Sequence, residues 1–272
     1  MINVCTSLYN NSREQLARLW ASLKAQTHTD WVWTVYDDST IPGAADIIWG
    51  FCADERYKIE LFTPHVPSRG NIGLSKRNCF GLAKGDILVE VDADDELTPD
   101  CLAEIQAAFD THPEVGFVYS DWCEINQRGE WCRYPDGWAF GYGADYEISP
   151  GRWVMSAPEI NETTMSHIVS APNHVRAWRA STYRELNGHD PSLPVADDYE
   201  LCVRTFLHTR MLKIPKLLYK QHIGAGTAQR QRNALIQDLV SEISQRYRGA
   251  IRERCVRPVS YTHLTLPTNR EV

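Results

Sequence analysis

Residues Ile87, Leu88, Val89, Glu90, Val91, Asp92, Ala93, Asp94 and Asp95 run in that order, a mostly apolar stretch that ends in three carboxylates within four positions. A short apolar run of this kind reads as a buried strand. Uncompensated, the charges at its end would repel one another and resist burial. A divalent cation removes that conflict, and oxygen-only ligands suit Mg²⁺ or Mn²⁺. A hard cation at the carboxyl end of a strand is well placed to hold a diphosphate. The same residues also suit an acidic turn ahead of a helix, because Thr98-Pro99 is a good helix start.

The rest of the chain alternates strands with helices. Ile2 to Leu8 is a first strand, followed by a capping box at Ser12 and Gln15 and a helical face of Leu16, Leu19 and Leu23. Trp31 to Tyr36 is a second strand, ending in Asp37-Asp38-Ser39. A short helix over Ala44 to Cys52 precedes a third strand, Lys58 to Phe62. Ile72 to Leu82 fits a helix closed by Gly85, Ile87 to Val91 is the fourth strand, and Pro99 to Phe109 is a helix with Pro at its first position. Val115 to Tyr119 is a fifth strand. This alternation predicts an α/β fold with a doubly wound, mainly parallel sheet flanked by helices, and ligands at the strands' carboxyl ends. Both acidic clusters lie at such ends. Asp121 to Ala157, rich in Trp, Tyr, Gly and Pro, predicts loops or irregular strands. Helices are expected over Ala180 to Leu186 and from Asp197 through Phe206, an extended segment over Met211 to Tyr219, and a charged amphipathic helix over Asn233 to Arg254. The domain plan is one unit over 1–230, a C-terminal helix over 231–257, and a disordered or non-native tail over 258–272.

Composition narrows the partners. A formal net charge of −7 argues against a nucleic-acid backbone as the main partner, but not against a nucleotide whose phosphates a metal screens. Eight scattered cysteines, none in a C-x-x-C pair, read as reduced core residues rather than a disulfide or zinc framework. No apolar run is long enough to span a bilayer, and Met1-Ile2-Asn3-Val4 lacks a signal-peptide layout. The expected location is the cytoplasm, with peripheral association at the inner face of the membrane left open.

An ordered set of motifs now stands out. It comprises the opening Val4-Cys5-Thr6-Ser7-Leu8-Tyr9-Asn10, then Asp37-Asp38-Ser39, then Asn71-Ile72-Gly73-Leu74-Ser75-Lys76-Arg77-Asn78, then Ala83-Lys84-Gly85-Asp86 and Asp92-Ala93-Asp94-Asp95. Late in the chain come Ala196-Asp197-Asp198-Tyr199-Glu200-Leu201 and Tyr219-Lys220-Gln221-His222. From about residue 2 to about 230 the chain resembles the family 2 glycosyltransferases, which have the GT-A fold. It departs from them in carrying Asp197 where the family often has Glu before its catalytic Asp.

The resemblance implies transfer of a sugar from a nucleoside diphosphate, UDP favoured, to a hydroxyl of a saccharide or lipid-linked acceptor. It assigns Asp94 to a Mn²⁺ or Mg²⁺ ion, with Asp95 as a second ligand or as an orienter of one, and His222 completing the shell. Asp92 is expected on the ribose, Asp38 on the base or ribose, and Asn71 and Arg77 facing the nucleotide. Arg77 is preferred to Lys76 on family position. Asp198 is expected to take the acceptor's proton, giving a single displacement with inversion. Trp131, Trp138 and Trp153 are candidates for stacking on acceptor sugars, or for packing a lid. Two alternatives stay open: a haloacid-dehalogenase-like phosphatase, although Glu96 stands where that motif wants Thr, and a catalytically inactive sugar-nucleotide-binding protein.

Overall fold

The computed structural model describes residues 1–52, 58–224 and 231–256. Strand β1 (Ile2–Leu8) pairs in parallel with β2 (Trp31–Asp37) on one side and β4 (Ile87–Glu90) on the other, and β2 pairs in parallel with β3 (Lys58–Phe62). This β3-β2-β1-β4 half is the expected doubly wound core. Three helices serve it: α1 (Arg13–Lys24), α2 (Ala44–Phe51) and α3 (Ile72–Leu82). Register along β1 and β4 carries both strands to one end of the sheet, so Leu8 and Asp92 arrive there together.

Beyond β4 the sheet is mixed. Its path continues β9-β6-β10-β5, with β9 (Arg176–Arg179) antiparallel to both β4 and β6 (Val115–Ile125). Antiparallel neighbours need no crossover helix, and β9 feeds directly into α6 (Ala180–Glu185). The region expected to be irregular is more ordered than that. β6 extends to Ile125, and β7 (Ala144–Ser149) with β8 (Arg152–Ser156) forms an antiparallel hairpin that joins β6. The helix expected from Pro99 is α4 (Cys101–Thr111), and between it and β4 lies the two-residue strand β5 (Glu96–Leu97). β5 pairs with β10 (Arg210–His222), which itself runs parallel to β6.

Tryptophans mark the two helical layers. Trp20 of α1 stacks on Trp33 and on Phe51, at 5.6 and 5.7 Å between ring centroids. On the opposite face Trp178 of β9 meets Phe80 of α3, and its indole N–H donates to Thr205 Oγ1 (3.0 Å) of α7 (Asp197–His208). Helix α8 (Asn233–Val256) packs back on this layer through Ile243 and Ile251; Tyr247 donates to Glu200 (2.7 Å) and Ser244 to the Ser166 carbonyl beside α5 (Glu162–Met165). Ile243 and Ile251 of this helix belong to the hydrophobic core. The expectation for 258–272 lies outside the described residues.

The capping box at the head of α1 forms: Ser12 Oγ accepts from the Gln15 N–H (3.3 Å) and Gln15 Oε1 accepts from the Ser12 N–H (2.8 Å). It fixes the start of a helix whose Leu16, Leu19 and Leu23 are fully buried. Ser12→Ala should lower the free energy of unfolding by about 1 kcal/mol. A urea midpoint unchanged from wild type would show that the cap contributes nothing.

Candidate active site

The carboxyl ends of β1, β2 and β4 open onto a cleft of about 370 Å³. Its walls include Tyr9, Asp38, Asn71, Lys76, Asp92, Asp94, Asp95, His222 and Arg232. Each reaches it for a local reason. Asp38 follows β2 directly and is buried; its two oxygens accept from the Ser68 N–H (2.6 Å) and the Ser68 hydroxyl, which draws the loop before α3 onto the sheet end. Asn71 caps α3, accepting from the Leu74 N–H (2.9 Å) while its amide donates to the Pro191 carbonyl (2.9 Å). Gly73 lets the first turn of α3 approach that 190–194 loop, since a Cβ there would run into the carbonyl oxygens of Asp190 and Leu193. Tyr9, half exposed at the mouth, stands beside Gly70.

The acidic turn after β4 is held by β10. Tyr219 is buried; its hydroxyl accepts from the Asp92 N–H (3.1 Å) and donates to Asp95 Oδ2 (2.7 Å). Asp95 Oδ1 accepts from the His222 N–H (2.7 Å), so this carboxylate ties the turn to the strand end. His222 Nε2 lies 2.7 Å from Glu96 Oε1, and Arg18 of α1 donates to the Asp94 carbonyl (2.5 Å). From the cleft wall a chain of paired charges runs inward. The Lys76 ammonium bonds Glu90 and lies 3.3 Å from Asp92. Arg176 pairs with Glu90 (2.9 Å) and, through Nη1, with Asp198 Oδ2 (2.9 Å).

The family model "Glycosyl transferase family 2" matches residues 3–154. The chain belongs to glycosyl transferase family 2. Curated relatives include the uncharacterized protein y4gI of Sinorhizobium fredii, 22% identical over 84% of this chain and 23% of its own length. Another is the O-antigen biosynthesis protein RfbC of Myxococcus xanthus, 30% identical over 47% of this chain and 10% of its own. The chain thus spans less than a quarter of either relative. Among solved structures, S. aureus TarS 1–349 in complex with UDP-GlcNAc superposes with a TM-score of 0.66 at 17% identity, covering 89% of this chain and 66% of that one. The mannosyltransferase PcManGT from Pyrobaculum calidifontis in complex with GDP-Man and Mn²⁺ gives 0.62 at 14% identity, covering 93% and 68%. The fold is the GT-A type of these proteins. Among the described residues no helix is long and apolar enough to cross a membrane.

In this family 2 domain the cleft gathers Asp38, Asn71, Asp92, Asp94, Asp95 and His222, but not Arg77 or Asp198. Arg77 is turned away: its guanidinium donates to the Asn187 and His189 carbonyls and to Asn187 Oδ1, fastening the turn after α6. One position earlier on the helix, Lys76 faces the cleft instead. Asp198 stands behind the inner wall, joined to it through Arg176, Glu90 and Lys76. The tryptophans favour packing. Trp138 is buried edge-on against Trp122 and Tyr134, while Arg152 covers Trp131 and Arg133 covers Trp153.

Sequence reasoning missed Glu90, Arg176 and His174, and set Lys76 aside in favour of Arg77. Glu90 carried a readable signal, a carboxylate inside an otherwise apolar strand, which requires a cation beside it. Glu90, Asp92 and His174 bring three metal-type ligand atoms within 4.8 Å of one another. Lys76 and Arg176 already neutralise that group, however, so a metal fits it poorly. Asp94 and Asp95 are the reverse case. Burial, then the neighbouring Asp92, pushes Asp94 above the usual carboxylate range. Burial, then Asp94 and Asp92, pushes Asp95 further still. Asp94, raised by burial and by a neighbouring carboxylate, is an oxygen donor that suits a hard cation, whereas both Asp95 oxygens already accept, from Tyr219 and His222.

Asp197 behaves differently from its neighbour. Burial raises it to about 7, with Lys76 opposing and Asp198 adding to the rise. Its pKa in the folded chain therefore lies above the unfolded value of about 3.9. Ionisation of Asp197 costs no stability below about pH 4; the cost grows as pH rises toward 7 and then levels off. Asp197→Asn should accordingly melt at a temperature that gains on wild type between pH 4 and 7, with no further gain above. A difference constant across that range would contradict the assignment.

Proposed function

We propose that this chain is an inverting, metal-dependent glycosyltransferase that moves a sugar from a nucleoside diphosphate, UDP in first place, to the hydroxyl of a saccharide or lipid-linked acceptor. The observation that carries the reading is the convergence of Asp38, Lys76, Asp92 and Asp94 on one cleft at the strand ends, with Asp198 linked to its inner wall. The names of the neighbours lend support: TarS was solved with UDP-GlcNAc, GalNAc-T7 with UDP and Mn²⁺, and PcManGT with GDP-Man and Mn²⁺. RfbC, an O-antigen biosynthesis protein, favours a saccharide acceptor.

Asp94 would hold the cation, with His222 beside it and Asp95 orienting the turn. When bound, a Mn²⁺ or Mg²⁺ ion supplies positive charge opposite the departing diphosphate. Tyr9 offers a flat face at the mouth for a base, the Asp38 side a wall for the nucleoside, and Asp92 an acceptor for ribose hydroxyls. Lys76 adds a fixed cation beside Asp92 where negative charge develops on the leaving group. Asp198 takes the proton of the attacking hydroxyl as the new bond forms, so that the anomeric carbon inverts in one displacement.

Release of free UDP or GDP across a panel of sugar nucleotides, with Mn²⁺, Mg²⁺ or EDTA and water or added glycans as acceptor, tests this function. One UDP-sugar should be turned over in a metal-dependent manner. Phosphate release from phosphomonoesters with all sugar nucleotides intact would instead support a phosphatase.

A further inference from the structure

The buried ion pairs behind the cleft carry one inference beyond the residues just assigned. Arg176 is 3% exposed, sits on β9 between β4 and β6, and meets three groups with its one guanidinium. Nη2 donates to Glu90 Oε1 (3.2 Å), and Nε lies 2.9 Å from Glu90 Oε2 as an ion-pair contact without hydrogen-bond geometry, against a carboxylate that is itself 1% exposed. Nη2 also lies 2.8 Å from His174 Nε2, and because a guanidinium only donates, that ring nitrogen accepts. This leaves Nη1 directed at Asp198 Oδ2 (2.9 Å). The other Asp198 oxygen accepts from the Tyr199 N–H (2.8 Å) in the first turn of α7.

We propose that Arg176 is a positioning residue for sugar transfer: clamped on Glu90, it holds the Asp198 carboxylate charged and in one orientation. The inference rests on Asp198 as the base. A buried planar guanidinium held through Nη2 by Glu90 and His174 has little freedom to turn, so Nη1 meets Asp198 from one direction. Glu90 serves as the fixed post, and Lys76 grips the same post from the donor side. The charged and titratable groups facing Asp198 are Arg176 from β9, Lys76 from α3, Glu90 from β4, His189 from the loop before α7, and Asp197 and Cys202 on its own helix. Burial pushes Asp198 up, but Arg176, followed by Lys76, outweighs it, and the carboxyl lies below its ordinary range.

The test uses the full chain labelled at the aspartate carboxyl carbons, with Asp198→Asn identifying the Asp198 resonance. In Arg176→Gln the Asp198 titration midpoint should rise by about one pH unit or more. The acid limb of UDP release should move with it, and kcat should fall about tenfold or more while the donor KM changes less than about twofold. Arg176→Lys, which keeps the charge and so the fold, cannot span Glu90 and Asp198 together. It should keep the midpoint closer to wild type yet still lose kcat. A folded Arg176→Gln with an unmoved midpoint overturns the proposal. If that variant does not fold, an Arg176→Lys with wild-type midpoint and kcat overturns it equally. Failure of the base assignment looks different: Asp198→Asn would then release UDP at a near wild-type rate.

Discussion

Asp198→Asn should reduce sugar transfer by about 10² to 10⁴-fold, the range associated with loss of a general base. The amide fills the same space and can still accept from Arg176, but it cannot take a proton from the acceptor. UDP affinity should stay within about twofold, because the carboxylate does not line the donor cleft. Transfer and binding therefore separate cleanly in this variant, which a folding defect would not produce. Isothermal titration with UDP and Mn²⁺ beside a turnover assay reads both quantities on one sample. Equal losses of binding and transfer would move Asp198 from the base to the donor site.

Asp94→Asn is expected to give the converse pattern. Asp94 is pushed up by burial and by Asp92, so an amide relieves a repulsion and the folded chain should tolerate it or gain stability. What it loses is the anionic oxygen offered to the cation. Metal-dependent UDP binding should weaken by about tenfold to a hundredfold, or about 1.4 to 2.7 kcal/mol, and turnover should fall by at least as much. Binding of UDP in EDTA should be nearly unchanged between variant and wild type. A variant that loses no Mn²⁺-dependent affinity would contradict the placing of the metal on Asp94.

Much of this arrangement was legible in the residues, and what was not has a physical explanation. The parallel half could be read because its strands are short, largely apolar runs separated by helical patterns, two of them, β2 and β4, ending in acidic clusters. β9 could not. Arg176-Ala177-Trp178-Arg179 is four residues long and flanked by arginines, with none of the apolar continuity that marks a buried strand. Its burial is made possible by Glu90 on one arginine, and by the Val115, Phe109 and His112 carbonyls on the other. Those partners lie far away in sequence. The preference for Arg77 over Lys76 failed geometrically for a related reason. Adjacent helical positions point about 100° apart, and only the docking of α3 against the 187–194 loop decides which one faces the cleft. Asp95 shows the same limit. Its place in a run of acids suits a ligand or an orienter of one, and the contacts that make it an anchor come from Tyr219 and His222, more than 120 residues away.

A crystal structure of the chain with UDP and Mn²⁺ bears most directly on the central claim, that a metal-held donor and a separate carboxylate serve one bound molecule. The account predicts uridine between Tyr9 and Asp38, the diphosphate between Asp94 and Lys76, and the terminal phosphate's free end turned toward Asp198. Nucleotide bound elsewhere, or with that end pointing away from Asp198, would contradict it.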